Sequence, residues 1–280
     1  MSIMHEINCH PMRFLVDPVS KPPLLLMHGF LSSRNHWRLN ERALRSRYRL
    51  IIAELPGHGE TARCDPADVT PDALAQSFER ARLELDIPRW HICGQSFGAG
   101  LVLRYALSYP QHVGALVWTN ANRVLSESLS QEDISSLQQR AAKVEAGGLE
   151  AIRKERVYPG SARYFPSEMR ELLARDADGC DPMVVTAILR NSLGFVSVRD
   201  RFPELRMPTL LVNGLRERSF QEKRNLAVEL LPTMEVVDLD GGHSINIEQP
   251  DGFDAAVLEF LGRHDGLLAD DEISALSGTQ

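Results

Sequence analysis

Long apolar runs are missing from this 280-residue sequence; none nears the roughly 20 residues that a membrane-spanning helix requires. The opening Met1–Asn8 stretch also lacks the basic start and apolar run of a secretory leader. Cysteine is scarce. Cys9, Cys64, Cys93 and Cys180 are widely scattered and form no C-x-x-C pair, which argues against a disulfide framework and for free thiols. Cys93 falls in an apolar run, where a small core filler is expected. Together these absences lead us to expect a cytoplasmic protein with no membrane partner. Positive charge is not in excess either, since the net charge is −7. Residues 1–121 carry thirteen basic and eleven acidic side chains, residues 122–202 twelve of each, and residues 203–280 six and fifteen. With no basic stripe, a nucleic-acid partner is not expected. The acidic excess of the last third suggests a solvated face and, over 265–280, a flexible tail.

What is present is an alternation of elements in a chain that is 43% hydrophobic, enough for a sizeable core. His5–Cys9 and Met12–Val16 alternate weakly and predict an antiparallel edge hairpin. Strands follow at Leu24–Met27, Tyr48–Leu55, Trp90–Cys93 and Val113–Thr119, with helices over Asn35–Arg47, from Thr70-Pro71 to about Asp86, and over Ala99–Leu107. This order implies an α/β fold with a mostly parallel, doubly wound sheet. The alternation stops from Asn122 to about Phe202. That stretch has helical patterns at Glu132–Glu145, Ser167–Ala174 and Pro182–Leu193 but no strand, and reads as an inserted helical cap or, alternatively, a small independent helical domain. Strands at Met207–Gly214 and Met234–Asp240 and helices at Ser219–Leu231 and Gln249–Gly262 then resume the pattern. The expected division is a core formed by 1–121 and 203–264, with a helical lid of residues 122–202.

One motif sits where chemistry would be expected. Gly94-Gln-Ser-Phe-Gly98 is a G-x-S-x-G at a strand-to-helix turn, the context of a nucleophile elbow. Such a turn puts Ser96 under backbone strain and pushes its hydroxyl outward, while the flanking glycines leave room for strand and helix to approach. A serine hydroxyl needs a base. Gly241-Gly-His243-Ser244 follows the last predicted strand and makes His243 the candidate. The base needs a carboxylate to hold its tautomer. Glu217, in the loop after the strand ending at Gly214, is the candidate there, although it could instead be a solvated glutamate paired with Arg216 or Arg218. Asp238 and Asp240 are rivals that precede His243 closely. The backbone N–H groups of Phe30 and Phe97 are candidate oxyanion donors. His28 and His58 flank glycine turns; without carboxylate or cysteine spacing they suggest turn histidines bonded to backbone rather than metal ligands.

With these residues in hand, Leu24-Leu-Leu-Met-His-Gly-Phe30, Glu54-Leu-Pro-Gly-His-Gly59, Gly94–Gly98, Val212-Asn-Gly-Leu-Arg-Glu217 and Gly242-His-Ser-Ile-Asn-Ile-Glu-Gln-Pro250 resemble the α/β-hydrolase superfamily from about residue 20 to 264, apart from the inserted helices. The resemblance implies Ser96 as nucleophile, His243 as base and Phe30 and Phe97 as oxyanion donors. Glu217 stands where most members carry aspartate. The Asn-Gly-x-x-Glu form resembles a subset that includes acyl-homoserine-lactone lactonases. A serine hydrolase acting on a small-molecule ester, thioester or lactone, with no cofactor or metal, is therefore expected. A receptor or binding protein on the same fold, or a C–C hydrolase or acyltransferase using the same residues, are the alternatives. Tyr164, Phe165, Leu189, Leu193 and Phe195 are the candidate lining of the substrate pocket.

Overall fold

The computed structural model describes residues 4–59 and 65–269. Cys64 and residues 270–280 of the expected tail lie outside the described residues. The hairpin forms as the alternation predicts: β1 (His5–Cys9) pairs antiparallel with β2 (Met12–Val16), and β2 with β4 (Arg49–Glu54). The remaining strands, β3 (Pro23–Met27), β5 (Trp90–Gly94), β6 (Val113–Thr119), β7 (Thr209–Gly214) and β8 (Glu235–Leu239), run parallel. The eight-stranded order is β1-β2-β4-β3-β5-β6-β7-β8.

The near-continuous apolar runs of the central strands follow from burial on both faces. Leu24 and Leu26 point into one core with α1 (Glu41–Arg47) and α9 (Pro250–Gly262), while Leu25 and Met27 point into the other, against α2 (Pro71–Glu84) and α3 (Phe97–Ser108). Cys93 lies in the first of these cores, buried, and Cys9, Cys93 and Cys180 are free thiols. The start of α2 is set chemically. Thr70 Oγ1 accepts from Ala73 N, and Pro71 occupies the first turn, where no N–H is missed.

The helical stretch between β6 and β7 contains α4 (Gln131–Ile152), α5 (Ser167–Asp178) and α6 (Pro182–Asn191). A capping box at Ser130 and Asp133 opens α4, whose regular geometry breaks at Gly148 (φ 53°). Ala141 and Val144 of α4 and Val185 and Ile188 of α6 belong to the same continuous core as Val102 and Trp118. The helices pack chiefly on one another, with α6 also against the 3-10 turn Pro66–Val69, and their apolar residues continue the core on that side of the sheet.

Three details depart from the sequence reading. The helix expected over Asn35–Arg47 is a 3-10 turn, Arg34–Trp37, followed by α1. A short α8 (Ile245–Glu248) precedes α9. The chain also does not fray at 265. Asp265–Leu268 forms a 3-10 turn whose acidic residue accepts from Arg47 Nη2 (2.8 Å) and Tyr48 Oη (3.0 Å). Polar composition suggested a loose tail, but paired charges tie this part down. After α7 (Arg218–Leu230), β8 completes the sheet. No helix among the described residues is long and apolar enough to cross a membrane.

Candidate active site

Parallel strands deliver their following loops to one edge of the sheet, and Phe30, Ser96, Phe97, Glu217 and His243 arrive there. Between β5 and α3 the chain turns so abruptly that Ser96 adopts φ 54°, ψ −117°, a conformation that costs a non-glycine residue about 1–3 kcal/mol. Packing around the turn enforces it. A side chain at position 94 would place its Cβ 2.5 Å from the Gly98 carbonyl oxygen, and one at 98 would run into the carbonyl oxygens of His28 and Met27. The two glycines let α3 sit directly on β3 and β5.

The structure brings together three side chains that are far apart in the sequence. Ser96 Oγ lies 2.8 Å from His243 Nε2, and His243 Nδ1 lies 2.9 and 3.0 Å from the Glu217 carboxylate oxygens. Since the carboxylate can only accept, the neutral imidazole carries its proton on Nδ1 and offers Nε2 to the serine hydroxyl. Glu217 is not a solvated glutamate: its side chain is 12% exposed. Burial pushes its carboxyl pKa up, but the hydrogen bond and charge of His243, with help from Asn120 and Asn122, outweigh this and hold it below its ordinary value. Its rivals are engaged elsewhere. Asp238 accepts from Arg224 and Asn213, and Asp240 accepts from Nε and Nη2 of Arg216.

Composition and spacing gave no sign of several supporting groups. Asn122 Nδ2 donates to Glu217 Oε1 at 2.6 Å, and Asn120 grips the backbone N–H and carbonyl of Gly214. Their only signal is the polar Asn-Ala-Asn run where β6 ends. Gln95 Nε2 donates to the His243 carbonyl (3.3 Å), and Glu248 receives the Gly242 N–H (2.7 Å). Beneath the His243 loop, Asn246 bonds His36 and Asn40, and Asn40 donates to Asp254.

Among the described residues, neither the Phe30 nor the Phe97 backbone N–H has a protein acceptor, and both residues line the cavity that contains Ser96. His28 and His58 hold these turns. His28 Nδ1 donates to the Gly29 carbonyl and His58 Nδ1 to that of Pro56, while their Nε2 atoms accept from Leu55 N and Leu31 N. Burial drives the His58 pKa down to about 4 and that of His28 well below its ordinary value, keeping both rings neutral. No cluster among the described residues could hold a metal ion.

The cavity has a volume of about 830 Å³. Tyr164, Phe165 and Leu193 line it as expected, but Leu189 and Phe195 do not. Leu189 shares a face of α6 with Val185, as the i, i+4 spacing requires, and that face is fully buried in the core. Phe195 follows the end of α6. Its carbonyl accepts from Arg104 Nη2, and the residue, 45% exposed, borders a separate groove.

Residues 22–250 match the family model described as the alpha/beta hydrolase fold. The chain belongs to the α/β-hydrolase family. Over 250 residues it is 29% identical to a protein of Agrobacterium fabrum named as a carbamate hydrolase, RutD, covering 86% of this chain and 93% of the relative. MenH from S. aureus superimposes with a TM-score of 0.80 at 21% identity, covering 90% and 98% of the two chains. The enol-lactonase from Burkholderia xenovorans LB400 does so at 0.79 and 18%, covering 92% and 100%. At these identities the two structures speak for the fold.

Proposed function

We propose that this α/β-hydrolase family member is a serine hydrolase that cleaves a carboxylic ester, thioester or lactone through an acyl-enzyme. The observation that carries the reading is the unbroken hydrogen-bond chain from Ser96 Oγ through His243 to Glu217. In the proposed reaction the Ser96 oxygen bonds to the substrate carbonyl carbon as its proton passes to His243 Nε2. The resulting oxyanion is received by the Phe30 and Phe97 N–H groups. Collapse breaks the bond to the alcohol or thiol, which leaves with the proton from His243. Water then attacks the acyl-serine, giving its proton to the same nitrogen, and His243 returns that proton to Ser96 as the acid departs. Glu217 keeps the ring oriented and balances the imidazolium charge. The resemblance to a carbamate hydrolase is consistent with acyl chemistry of this kind. In this reading the helices between β6 and β7 form a cap that walls the acyl site.

The test is turnover of a graded series of 4-nitrophenyl acyl esters beside a lactone panel, together with fluorophosphonate labelling. Replacement of Ser96 by Ala should abolish both turnover and labelling. Undiminished turnover in that variant would end the reading.

A further inference from the structure

The cavity around Ser96 has two chemically different parts. Its depth is apolar and buried, with Phe30, Leu137, Leu173 and Val196 each at most 6% exposed. Its exposed margin is rich in arginine. Six arginines line it, against two glutamates, in a chain whose net charge is −7. Three of the six are neutralised: Arg123 by Asp133, Arg140 by Glu155 and Arg216 by Asp240. Both glutamates are also occupied, Glu217 by His243 and Asn122, and Glu248 by the Gly242 N–H. Arg156, Arg163 and Arg218 remain. All three are exposed, and their side chains have no hydrogen-bond or ion-pair partner among the described residues.

We propose that Arg156, Arg163 and Arg218 form a receiving site for a carboxylate carried by the substrate at the end of the acyl group remote from the scissile carbonyl. The proposal deepens the hydrolase reading and rests on it. Guanidinium groups present planar forks that match a carboxylate. Positive charge gathered at the mouth of a cleft also raises the local concentration of an anionic substrate. The apolar depth would accept the chain between the two ends, so the fitting class is the hemiester of a dicarboxylic acid. Two carboxylates already sit in this cavity. That makes a second negative charge on the ligand costly and favours a singly charged carboxylate over a dianionic phosphate.

The experiment compares 4-nitrophenyl hemiglutarate with its neutral methyl ester. We expect a higher kcat/KM for the hemiester and a preference that shrinks with added salt. An exposed charge contact is worth a factor of about 2–5, so Arg156→Gln, Arg163→Gln and Arg218→Gln should each lower the hemiester-to-methyl-ester ratio by about that much. The triple variant should lower it about tenfold to a hundredfold. Binding is read separately in Ser96→Ala, where monomethyl glutarate, which carries one charge, should raise Tm more than dimethyl glutarate does, and the added arginine substitutions should remove the difference. Turnover of the neutral ester with no preference and no arginine dependence would overturn the carboxylate site and leave the hydrolase reading standing. Arginine-dependent protection by monomethyl glutarate without turnover of any ester would uphold the site and remove the hydrolase reading. Stronger protection by phenyl phosphate than by monomethyl glutarate would overturn the assignment to a singly charged carboxylate.

Discussion

Replacing Glu217 by Gln tests the least conventional part of the site with the smallest change of shape. In the native protein Oε1 takes hydrogen bonds from both His243 Nδ1 (3.0 Å) and Asn122 Nδ2 (2.6 Å), and Oε2 takes a second contact from Nδ1 at 2.9 Å. The amide can keep its oxygen at the first position and so retain Asn122. Its NH2 then faces Nδ1, donor to donor. The ring can relieve this by moving its proton to Nε2, but that nitrogen can then no longer take the proton of Ser96. The amide also removes the negative charge that balances the imidazolium. For charges about 4 Å apart at an effective dielectric of about 20, that loss is about 4 kcal/mol, or about a thousandfold in rate. With the tautomer error added, we expect kcat on 4-nitrophenyl butyrate to fall by about 10³–10⁴ with little change in KM. Glu217→Asp retains the charge and should lose less than the amide does. A fall smaller than tenfold in Glu217→Gln, with an unchanged Tm, would refute the reasoning. So would larger losses in Asp238→Asn or Asp240→Asn than in Glu217→Gln.

Gly98→Ala should be destabilising even though alanine is the better helix former by about 1 kcal/mol, because the new methyl group meets the carbonyl oxygens of Met27, the last residue of β3, and of His28, in the buried turn that follows it. We expect a net loss of about 2–4 kcal/mol in urea unfolding, against no measurable change for Gly266→Ala, where nothing lies within 4 Å; a stabilised Gly98→Ala would contradict the close approach. Asp254 supplies a pH test. Burial, partly offset by the Asn40 hydrogen bond, raises its pKa from 3.8 to about 7. The unfolded chain therefore releases this proton first as pH rises. Its stabilising contribution is complete below about pH 4, drains away up to pH 7 and is absent above. Allowing for partial solvation, the ionised group costs about 2–3 kcal/mol at pH 8. Asp254→Asn should therefore raise Tm by several degrees at pH 8 and by little at pH 4, and an equal change at both would show that Asp254 does not titrate in this way.

How far the sequence carried the argument depended on whether a signal was local. The β3, β5 and β6 strands were legible because a strand buried on both faces is written as an uninterrupted apolar run, and Val113–Thr119 matches β6 at both ends. Ser96 was legible because a sharp strand-to-helix turn needs glycines two residues to either side, a requirement confined to five consecutive positions. Glu217 was only half legible. Position after β7 suggested it, but nothing nearby could tell a buried carboxylate from one paired with Arg216. The deciding facts are the hydrogen bond from Asn122, 95 residues away, and the capture of Arg216 by Asp240. The cavity lining was least legible, since the same helical period that buries Leu189 could have turned it toward the cavity. Which face of α6 points where is set by α4 and the 3-10 turn Pro66–Val69, and no spacing within α6 records that. The unpaired arginines were hidden for the same reason. Arg156 and Arg218 each follow a glutamate and Arg163 stands alone in the sequence, and their charge becomes a feature only when the fold gathers them around one opening. Specificity in this chain is therefore a property of loops meeting across the sheet edge, whereas the hydrogen-bonded Ser96, His243 and Glu217 are each announced by the strand that precedes them.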